Sequence, residues 1–256
     1  MAVPKTENKI FTGIGLDFET GDLDCVEGAI TQLSMQGIRL DNLEIINRFN
    51  KYIAPYNKQA MGGQVKRKVL KNKHEMTHQG ESMLYKLEAL TYSGIRMEQL
   101  IKQGVDIHEI GKDVIAFAKA TTLSNGKNTK PVVIGQNITF DIGFLQQLMN
   151  YTGLVKEFEK VFAGKKDFYG NFQPHYIDTI DLARLIFAND PTMTSYKLEI
   201  IAERLGLELD DAHDADADVT ATLNILRVGT NRLRNGESNV GEIIQQREKT
   251  RSHFKI

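Results

Sequence analysis

A change in the hydrophobic pattern near position 56 constrains the fold of this chain more than any other feature of its sequence. Before it lie three successive segments with the length and composition of β-strands: 10–20, 28–40 and 45–55. Two short polar links, Gly21-Asp22 and Asp41-Asn42, are plausible turns between them. Strands joined by such short links pair in antiparallel order, so the first part of the chain predicts an antiparallel meander.

Beyond position 56 the pattern predicts helices that alternate with short strands. The apolar residues of 85–120 recur at helical spacing, and PVVIG (131–135) is a short buried strand. Further helices are expected in four places: from about Asp141, within 175–187 after a short strand, at about 198–205, and from about Asp214. Three early strands followed by this alternation predict an α/β domain with a mixed β-sheet flanked by α-helices.

Composition favours a globular protein and excludes several kinds of site. The 256 residues are 41% hydrophobic and 25% charged, as in ordinary globular chains. Cys25 is the only cysteine, which excludes an internal disulfide and a cysteine zinc site. Because the chain lacks an apolar signal core and a membrane-length apolar run, we expect a cytoplasmic protein without membrane association. We predict a single domain over 1–230, a basic insertion at about 57–84, and a C-terminal helical extension or tail over 231–256.

Charge is distributed unevenly along the chain, although the formal net charge is only −1. Residues 45–74 contain eight Lys or Arg and no acidic residue, whereas 208–218 contain six acidic residues and no basic one. A metal site beside a surface that binds a polyanion has this asymmetry. Two solvated surface segments would have it as well.

Asp17 and Glu19 lie in the first predicted strand, within GLDFET (15–20). Side chains alternate along a strand, so these two carboxylates share one face while Leu16 and Phe18 enter the core from the other. The pair is a candidate site, although an acidic pair near a strand end also occurs without function.

Asp141 ends the segment GQNITFD (135–141), where a buried strand passes into a helix. Open α/β sheets place their functional sites at the carboxyl ends of strands, which makes Asp141 a candidate. A simple helix cap is the alternative, because acids stabilise helix N-termini.

The third acidic segment is HDADAD (213–218), with His213 and Asp218 at its ends. Two residues five positions apart on one helix point in directions roughly 140° apart. His213 and Asp218 therefore both reach one cleft only if His213 precedes the helix that carries Asp218. A cap or a surface histidine is the alternative. An EF-hand calcium loop does not fit, because the positions that need Gly and Glu hold Val and Ile. Asp214 and Asp216 are then expected to be a helix cap and a solvent-facing acid.

Four carboxylates brought together would repel one another, and some would take up protons. Divalent cations remove that repulsion, and ligands that are all oxygen suit Mg²⁺ or Mn²⁺ better than zinc. Two such ions about 3.5–4 Å apart can activate a water and stabilise the leaving oxygen of a phosphodiester. His213, with an unperturbed pKa of about 6.5, is a candidate base for that water.

These segments resemble the motifs of the DEDDh 3′–5′ exonucleases, also called DnaQ-like, of the ribonuclease H-like superfamily. GLDFET resembles the first motif, GQNITFDIGFL the second and HDADAD the third. EALTYSGIRMEQL (88–100) and YIDTIDLAR (176–184) resemble the segments between them, and the resemblance covers about 10–228. It implies a ribonuclease H-like mixed sheet of three antiparallel strands, then parallel strands, flanked by α-helices.

The resemblance also implies roles, position by position. The implied metal ligands are Asp17, Glu19, Asp141 and Asp218. His213 is the implied general base.

Three further positions match the part of the family motifs near the terminal nucleotide: Thr20, Asn137 and Phe140. Thr20 and Phe140 are equally compatible with structural roles, and Asn137 with a cap of its loop. Asp178 either supports the site or stabilises the fold. Gln136 replaces the His that often opens the second motif, so an auxiliary role at that position is in doubt.

The basic insertion is the second departure from the family pattern. Its residues Lys66, Arg67 and Lys68 are candidates to grip the substrate backbone, and a solvated loop is the alternative. Tyr56 and Tyr85 flank the segment and are candidates to stack on bases.

The chain is therefore expected to be a two-metal-ion 3′–5′ exonuclease that releases nucleoside 5′-monophosphates from single-stranded nucleic acid, with DNA favoured. The alternatives are an RNA-trimming or oligoribonucleotide-degrading enzyme and, more remotely, a non-catalytic nucleic-acid-binding module. Expected cofactors are two Mg²⁺ or Mn²⁺ ions. Expected partners are single-stranded DNA or RNA 3′ ends and a polymerase or repair complex, and the sequence leaves the oligomeric state open.

Overall fold

A mixed five-stranded sheet forms the centre of the protein. The computed structural model describes residues 9–59, 80–126, 128–209 and 214–235. The strands in these ranges are β1 (Thr12–Thr20), β2 (Ile30–Arg39), β3 (Ile45–Tyr52), β4 (Val132–Gly135), β5 (Gly164–Lys166), β6 (Phe172–Pro174) and β7 (Tyr176–Asp178). The helices are α1 (Leu87–Tyr92), α2 (Met97–Gln103), α3 (Ile107–Thr121), α4 (Ile138–Tyr151), α5 (Val155–Val161), α6 (Thr179–Ile186), α7 (Leu198–Leu205) and α8 (Ala215–Asn235).

The strand order of the large sheet is β3-β2-β1-β4-β7, and β5 and β6 form a separate hairpin. The first three strands pair antiparallel. β4 pairs parallel with both β1 and β7. The predicted mixed sheet of three antiparallel strands followed by parallel strands, flanked by helices, is confirmed.

The two faces of the sheet carry different side chains. Leu16 and Phe18 of β1, with Leu33 of β2, are buried in the main core cluster together with residues of α3 and α4. The opposite face receives α8. Gly15 lets this helix come close, because a Cβ at that position would lie 3.0 Å from a methyl carbon of Leu223.

Some local features differ from the sequence-based expectations. Helix α4 begins at Ile138 rather than at about Asp141, because Asn137 adopts the left-handed conformation (φ 53°, ψ 41°) that turns the chain into the helix. Asp141 therefore lies inside the first turn and does not cap the helix. The β5–β6 hairpin was not predicted, since three-residue strands carry almost no periodic signal.

The basic insertion expected at about 57–84 is described only at its two ends. The Lys58 amide donates to the Glu81 carbonyl at 2.7 Å, and the Gly80 amide donates to the Lys58 carbonyl at 3.0 Å. The two described ends of the insertion therefore lie side by side and are joined by backbone hydrogen bonds.

The two tyrosines that flank the insertion belong to the core side of the fold. Tyr56 is buried, and its hydroxyl accepts a hydrogen bond from the Ile30 amide at 2.7 Å and donates to Gln147 at 2.9 Å. Tyr85 packs partly buried against the same core and accepts from the Tyr56 amide. The predicted stacking of bases on Tyr56 is wrong, because its ring is enclosed by the core.

Helix α8 continues past position 230 to Asn235, and 236–256 lie outside the described residues. The predicted division into a domain over 1–230 and an extension stays a prediction. None of the helices in the described ranges is long and apolar enough to cross a membrane. The cytoplasmic location stays a prediction.

Candidate active site

Three predicted ligands meet where α8 lies over β1. Asp17, Glu19 and Asp218 place carboxylate oxygens within 4.8 Å of one another, and all three side chains are partly exposed. β1 carries Asp17 and Glu19 on one face, and Asp218 lies in the first turn of α8. One strand and one helix therefore hold three carboxylates together as a candidate ligand set for a metal ion.

Asp141 lies behind this group. Its side chain is only 3% exposed. Its Oδ1 accepts a hydrogen bond of 3.1 Å from the backbone amide of Phe18, the residue between Asp17 and Glu19. It is close enough to Asp17 for the two negative charges to raise the pKa of that residue. The structure thus brings four of the predicted residues into one site.

The acidic groups raise one another's pKa values. Burial is the largest cause of the raised pKa of Asp17, and nearby carboxylates add to it: Asp141, Glu19, Asp218 and Asp214. The pKa of Glu19 rises to about 7, through burial first and then through the charges of Asp218 and Asp214. Burial also raises the pKa of Asp141, although the hydrogen bond from the β1 backbone opposes that shift.

This donor set fits divalent cations. The ligands are carboxylate oxygens, which Mg²⁺ and Mn²⁺ prefer. The raised pKa values mean that negative charge at the site is poorly compensated by the protein alone. A bound cation would neutralise that charge and return the acids to their ionised form.

Asp178 fixes the start of the helix that carries Asp141. Its two carboxylate oxygens accept hydrogen bonds from the Asn137 and Ile138 amides, each at 3.2 Å. It also caps α6 by accepting from the Ile180 amide at 2.9 Å. Asp178 therefore supports the site and the fold through the same carboxylate.

The residues expected near the terminal nucleotide have different surroundings. The Asn137 side chain is exposed and makes no capping hydrogen bond. Phe140 is partly buried, and its ring centroid lies 5.0 Å from that of Phe144. The Thr20 hydroxyl donates to the Asp22 carbonyl at 2.9 Å, so it stabilises the loop after β1. Of the three, Asn137 has the most accessible polar group.

Gln136 has a structural partner. Its Nε2 donates to the Tyr196 carbonyl at 2.7 Å, which ties the end of β4 to the loop before α7. The side chain that replaces the family's usual His thus joins two segments of the fold.

Asp214 and Asp216 flank the start of α8. Asp214 caps the helix as predicted, accepting from the Asp216 amide at 3.0 Å and the Ala217 amide at 3.3 Å. The prediction that Asp216 faces solvent is wrong. Its Oδ1 accepts hydrogen bonds from Ser34 Oγ at 2.9 Å and Gln36 Nε2 at 3.3 Å. The polar side chains of β2 were missed as partners, because at alternate strand positions they look like a solvated face.

Four of the predicted site residues lie outside the described ranges: His213, Lys66, Arg67 and Lys68. His213 directly precedes Asp214 in the sequence. The roles assigned to these four residues stay predictions.

Known exonucleases are similar to this chain over part of its length. The exonuclease family model RNase T matches residues 118–226. The chain is 28% identical to the 3′-5′ exonuclease DinG of Staphylococcus epidermidis over 130 residues, which are 50% of this chain and 11% of that protein. It is 31% identical to the DNA polymerase III PolC-type of Pediococcus pentosaceus over 91 residues, 36% of this chain and 5% of that protein. The chain thus spans 11% or less of the length of these relatives.

Solved structures share the fold at low sequence identity. Exonuclease I of E. coli, in complex with a dA16 oligonucleotide, matches with a TM-score of 0.59 and 17% identity over 88% of this chain and 42% of that one. Exonuclease I from Methylocaldum szegediense matches with a TM-score of 0.58 and 20% identity over 89% of this chain and 41% of that one. The chain therefore shares the mixed-sheet fold of the exonuclease I structures, and its residues 118–226, which include Asp141 and Asp218, are similar to the exonuclease family model.

Proposed function

We propose that the chain is a metal-dependent 3′–5′ exonuclease that hydrolyses single-stranded nucleic acid, DNA in preference to RNA, and releases nucleoside 5′-monophosphates. The observation that carries this proposal is the group formed by Asp17, Glu19 and Asp218, whose oxygens lie within 4.8 Å of one another. The similarity of residues 118–226 to the exonuclease family model supports the reaction type. The relative described as a 3′-5′ exonuclease and the exonuclease I complex with dA16 support the polarity and the DNA preference.

The proposed ligands of two Mg²⁺ or Mn²⁺ ions are the three grouped carboxylates and Asp141. When bound, the ions would supply activation of a water and neutralisation of charge on the leaving oxygen. Asp17 and Glu19 form the rigid part of the proposed site, because both lie on the central strand β1, which fixes the distance between them. His213 would accept the proton of the attacking water, since an imidazole titrates close to neutral pH.

The substrate would enter beside the loop that follows β1. The chain returning from the basic insertion runs along this loop, where the Lys86 amide donates to the Gly21 carbonyl at 2.8 Å. The insertion residues Lys66, Arg67 and Lys68 are proposed to contact the substrate phosphates.

The terminal nucleotide would be held by three side chains near the second motif and the end of β1: Thr20, Asn137 and Phe140. The similarity to a PolC-type polymerase supports a polymerase or repair complex as partner.

Digestion of an oligonucleotide labelled at its 5′ end tests the proposal. With Mg²⁺, a free 3′ end should be shortened one nucleotide at a time, while a 3′-protected strand stays intact. Asp17→Asn should abolish the shortening. Asp181→Asn is the matched control, because Asp181 is an exposed acid of α6 whose carboxylate pairs with Arg184 at 2.8 Å. Equal loss of both strands, or loss that persists in Asp17→Asn, would contradict the proposal.

Matched DNA and RNA strands decide the preference, because contacts to the 2′-position distinguish the two. Faster degradation of RNA would establish the RNA-trimming alternative. Tight binding without turnover, unaffected by Asp218→Asn, would instead establish a non-catalytic binding module.

A further inference from the structure

β2 presents a row of three buried polar side chains to α8, named here the polar row: Gln32, Ser34 and Gln36. Their exposed fractions are 1%, 0% and 0%. In the antiparallel register, Gln32 lies opposite Glu19 and Ser34 lies opposite Asp17. Cross-strand partners share one face of a sheet, so the polar row lies directly beside the two carboxylates of β1.

Each side chain of the polar row donates a hydrogen bond to the first turns of α8. The bonds are Gln32 Nε2 to Asp214 Oδ2 at 3.0 Å, Ser34 Oγ to Asp216 Oδ1 at 2.9 Å, and Gln36 Nε2 to Thr220 Oγ1 at 2.7 Å. Asp218 lies between the last two acceptors in the sequence. The segment of α8 that carries this ligand is therefore attached to β2 on both sides.

Buried amides and hydroxyls destabilise a fold unless they are hydrogen-bonded. Gln32 also donates to Asn50 Oδ1 at 3.0 Å, and Ser34 also donates to the Phe49 carbonyl at 3.3 Å, both within the sheet. The bonds from the polar row to the start of α8 form only with the helix in this position, so they favour this placement over others with equal apolar contact. Its donors are also neutral. Lys or Arg in their place would bind the same acceptors but would repel a cation held by the neighbouring carboxylates.

We propose that the polar row is a positioning device that holds Asp218 against the carboxylates of β1 and so sets the affinity of the site for divalent cations. This inference rests on the proposed function, because it assigns the cation site to that reaction. The row touches neither substrate nor reacting atoms, and it acts through α8.

Mn²⁺ binding to the full chain without nucleic acid, measured by titration calorimetry, tests the inference. Ser34→Ala and Gln32→Ala should each raise the Mn²⁺ dissociation constant by about tenfold, the effect of removing a supporting group behind a metal ligand. Activity of both variants should recover at high Mn²⁺, with KM for single-stranded DNA unchanged.

Ile38→Val is the matched control. It lies on the same strand and is 1% exposed, and the substitution loosens packing without removing a bond of the polar row. If the Ser34 and Gln32 variants bind Mn²⁺ as tightly as this control, the inference is overturned. If Ser34→Ala does not fold, Gln32→Ala decides alone, because Gln32 sits at the end of the row.

A double variant separates positioning from general loss of stability. Ser34→Ala with Asp216→Ala should weaken Mn²⁺ binding by less than the sum of the two single changes, since both remove the bond between Ser34 and Asp216. Additive losses would overturn the inference. A parent chain that binds Mn²⁺ with this pattern but leaves DNA intact would contradict only the proposed exonuclease activity.

Discussion

The carboxylate of Asp141 accepts a hydrogen bond of 3.1 Å from the backbone amide of Phe18. Phe18 separates the two acidic residues of β1, so this bond joins the helix of the second motif to the strand of the first. Asp141 is at once a candidate ligand and the partner of a buried amide. These two roles respond differently to substitution.

Asp141→Asn keeps an oxygen that can accept from the Phe18 amide but removes the charge. We expect activity to fall by at least about a hundredfold, the upper range seen when groups that support a metal ligand are removed. The melting temperature of the metal-free protein at neutral pH should stay equal or rise, because one of several repelling acids is gone. Steady-state kinetics and thermal melts in EDTA measure both effects.

Asp141→Ala provides the contrast, because it leaves the Phe18 amide without its partner. It should lose about 1–3 kcal/mol of unfolding free energy as well as activity. Equal stability of the two variants would show that the hydrogen bond contributes nothing.

The pKa of Glu19 predicts how the stability of the metal-free protein depends on pH. The folded state releases this proton at about pH 7, whereas the ordinary value for the side chain is 4.5. Between these values the folded state binds more protons than the unfolded state, so the free energy of unfolding falls as pH rises. The loss from this group should be about 2 kcal/mol once solvent screening of the partly exposed side chain is included.

Denaturant unfolding in EDTA at several pH values measures this slope. Glu19→Gln should flatten it, and saturating Mg²⁺ should remove it in the parent chain. A slope that is the same in parent and Glu19→Gln would show that Glu19 does not carry the effect.

The sequence was sufficient to place Asp17 and Glu19 on one face, because side-chain alternation is a property of any strand. It also predicted the mixed sheet, since strand-length segments with short links leave few topologies. The environment of Asp216 could not be predicted from the sequence. Whether an acid meets water or Ser34 depends on which face of β2 the final helix covers, and that packing joins residues 182 positions apart.

Gly15→Ala should displace α8 from the sheet. A Cβ at this position would lie 3.0 Å from Leu223, closer than ordinary contact. We expect a loss of about 1–3 kcal/mol of unfolding free energy, as in other overpacked cores, and a higher Mg²⁺ requirement for activity. Leu223→Val in the same chain should recover part of both. If neither the stability nor the Mg²⁺ requirement recovers, the contact between position 15 and Leu223 is not the cause of the defect.

Asp178→Ala should destabilise the N-termini of both α4 and α6, because the Asp178 carboxylate accepts hydrogen bonds from backbone amides of both helices. We expect a loss of about 1–2 kcal/mol of unfolding free energy, the usual cost of removing a cap, together with reduced activity. Asp178→Asn, which keeps one acceptor oxygen, should lose less of each. Denaturant unfolding and initial rates distinguish the variants, and identical losses in both would exclude an acceptor role.

The basic insertion should contribute to the salt dependence of binding. If Lys66, Arg67 and Lys68 contact phosphates of a single strand, replacing all three with Gln should reduce the slope of log affinity against log salt by roughly two units. Fluorescence anisotropy in Ca²⁺, with a labelled oligonucleotide, measures the slope without cleavage. An unchanged slope would show that these three residues do not contact the phosphates of the bound strand.

The most direct test of the metal centre is anomalous diffraction from crystals soaked with Mn²⁺ and a nucleoside 5′-monophosphate. Two manganese peaks about 3.5–4 Å apart are expected among the carboxylates of β1, α4 and α8, with the phosphate of the nucleotide beside them. Manganese bound elsewhere, or no manganese contacting Asp17, would contradict the account.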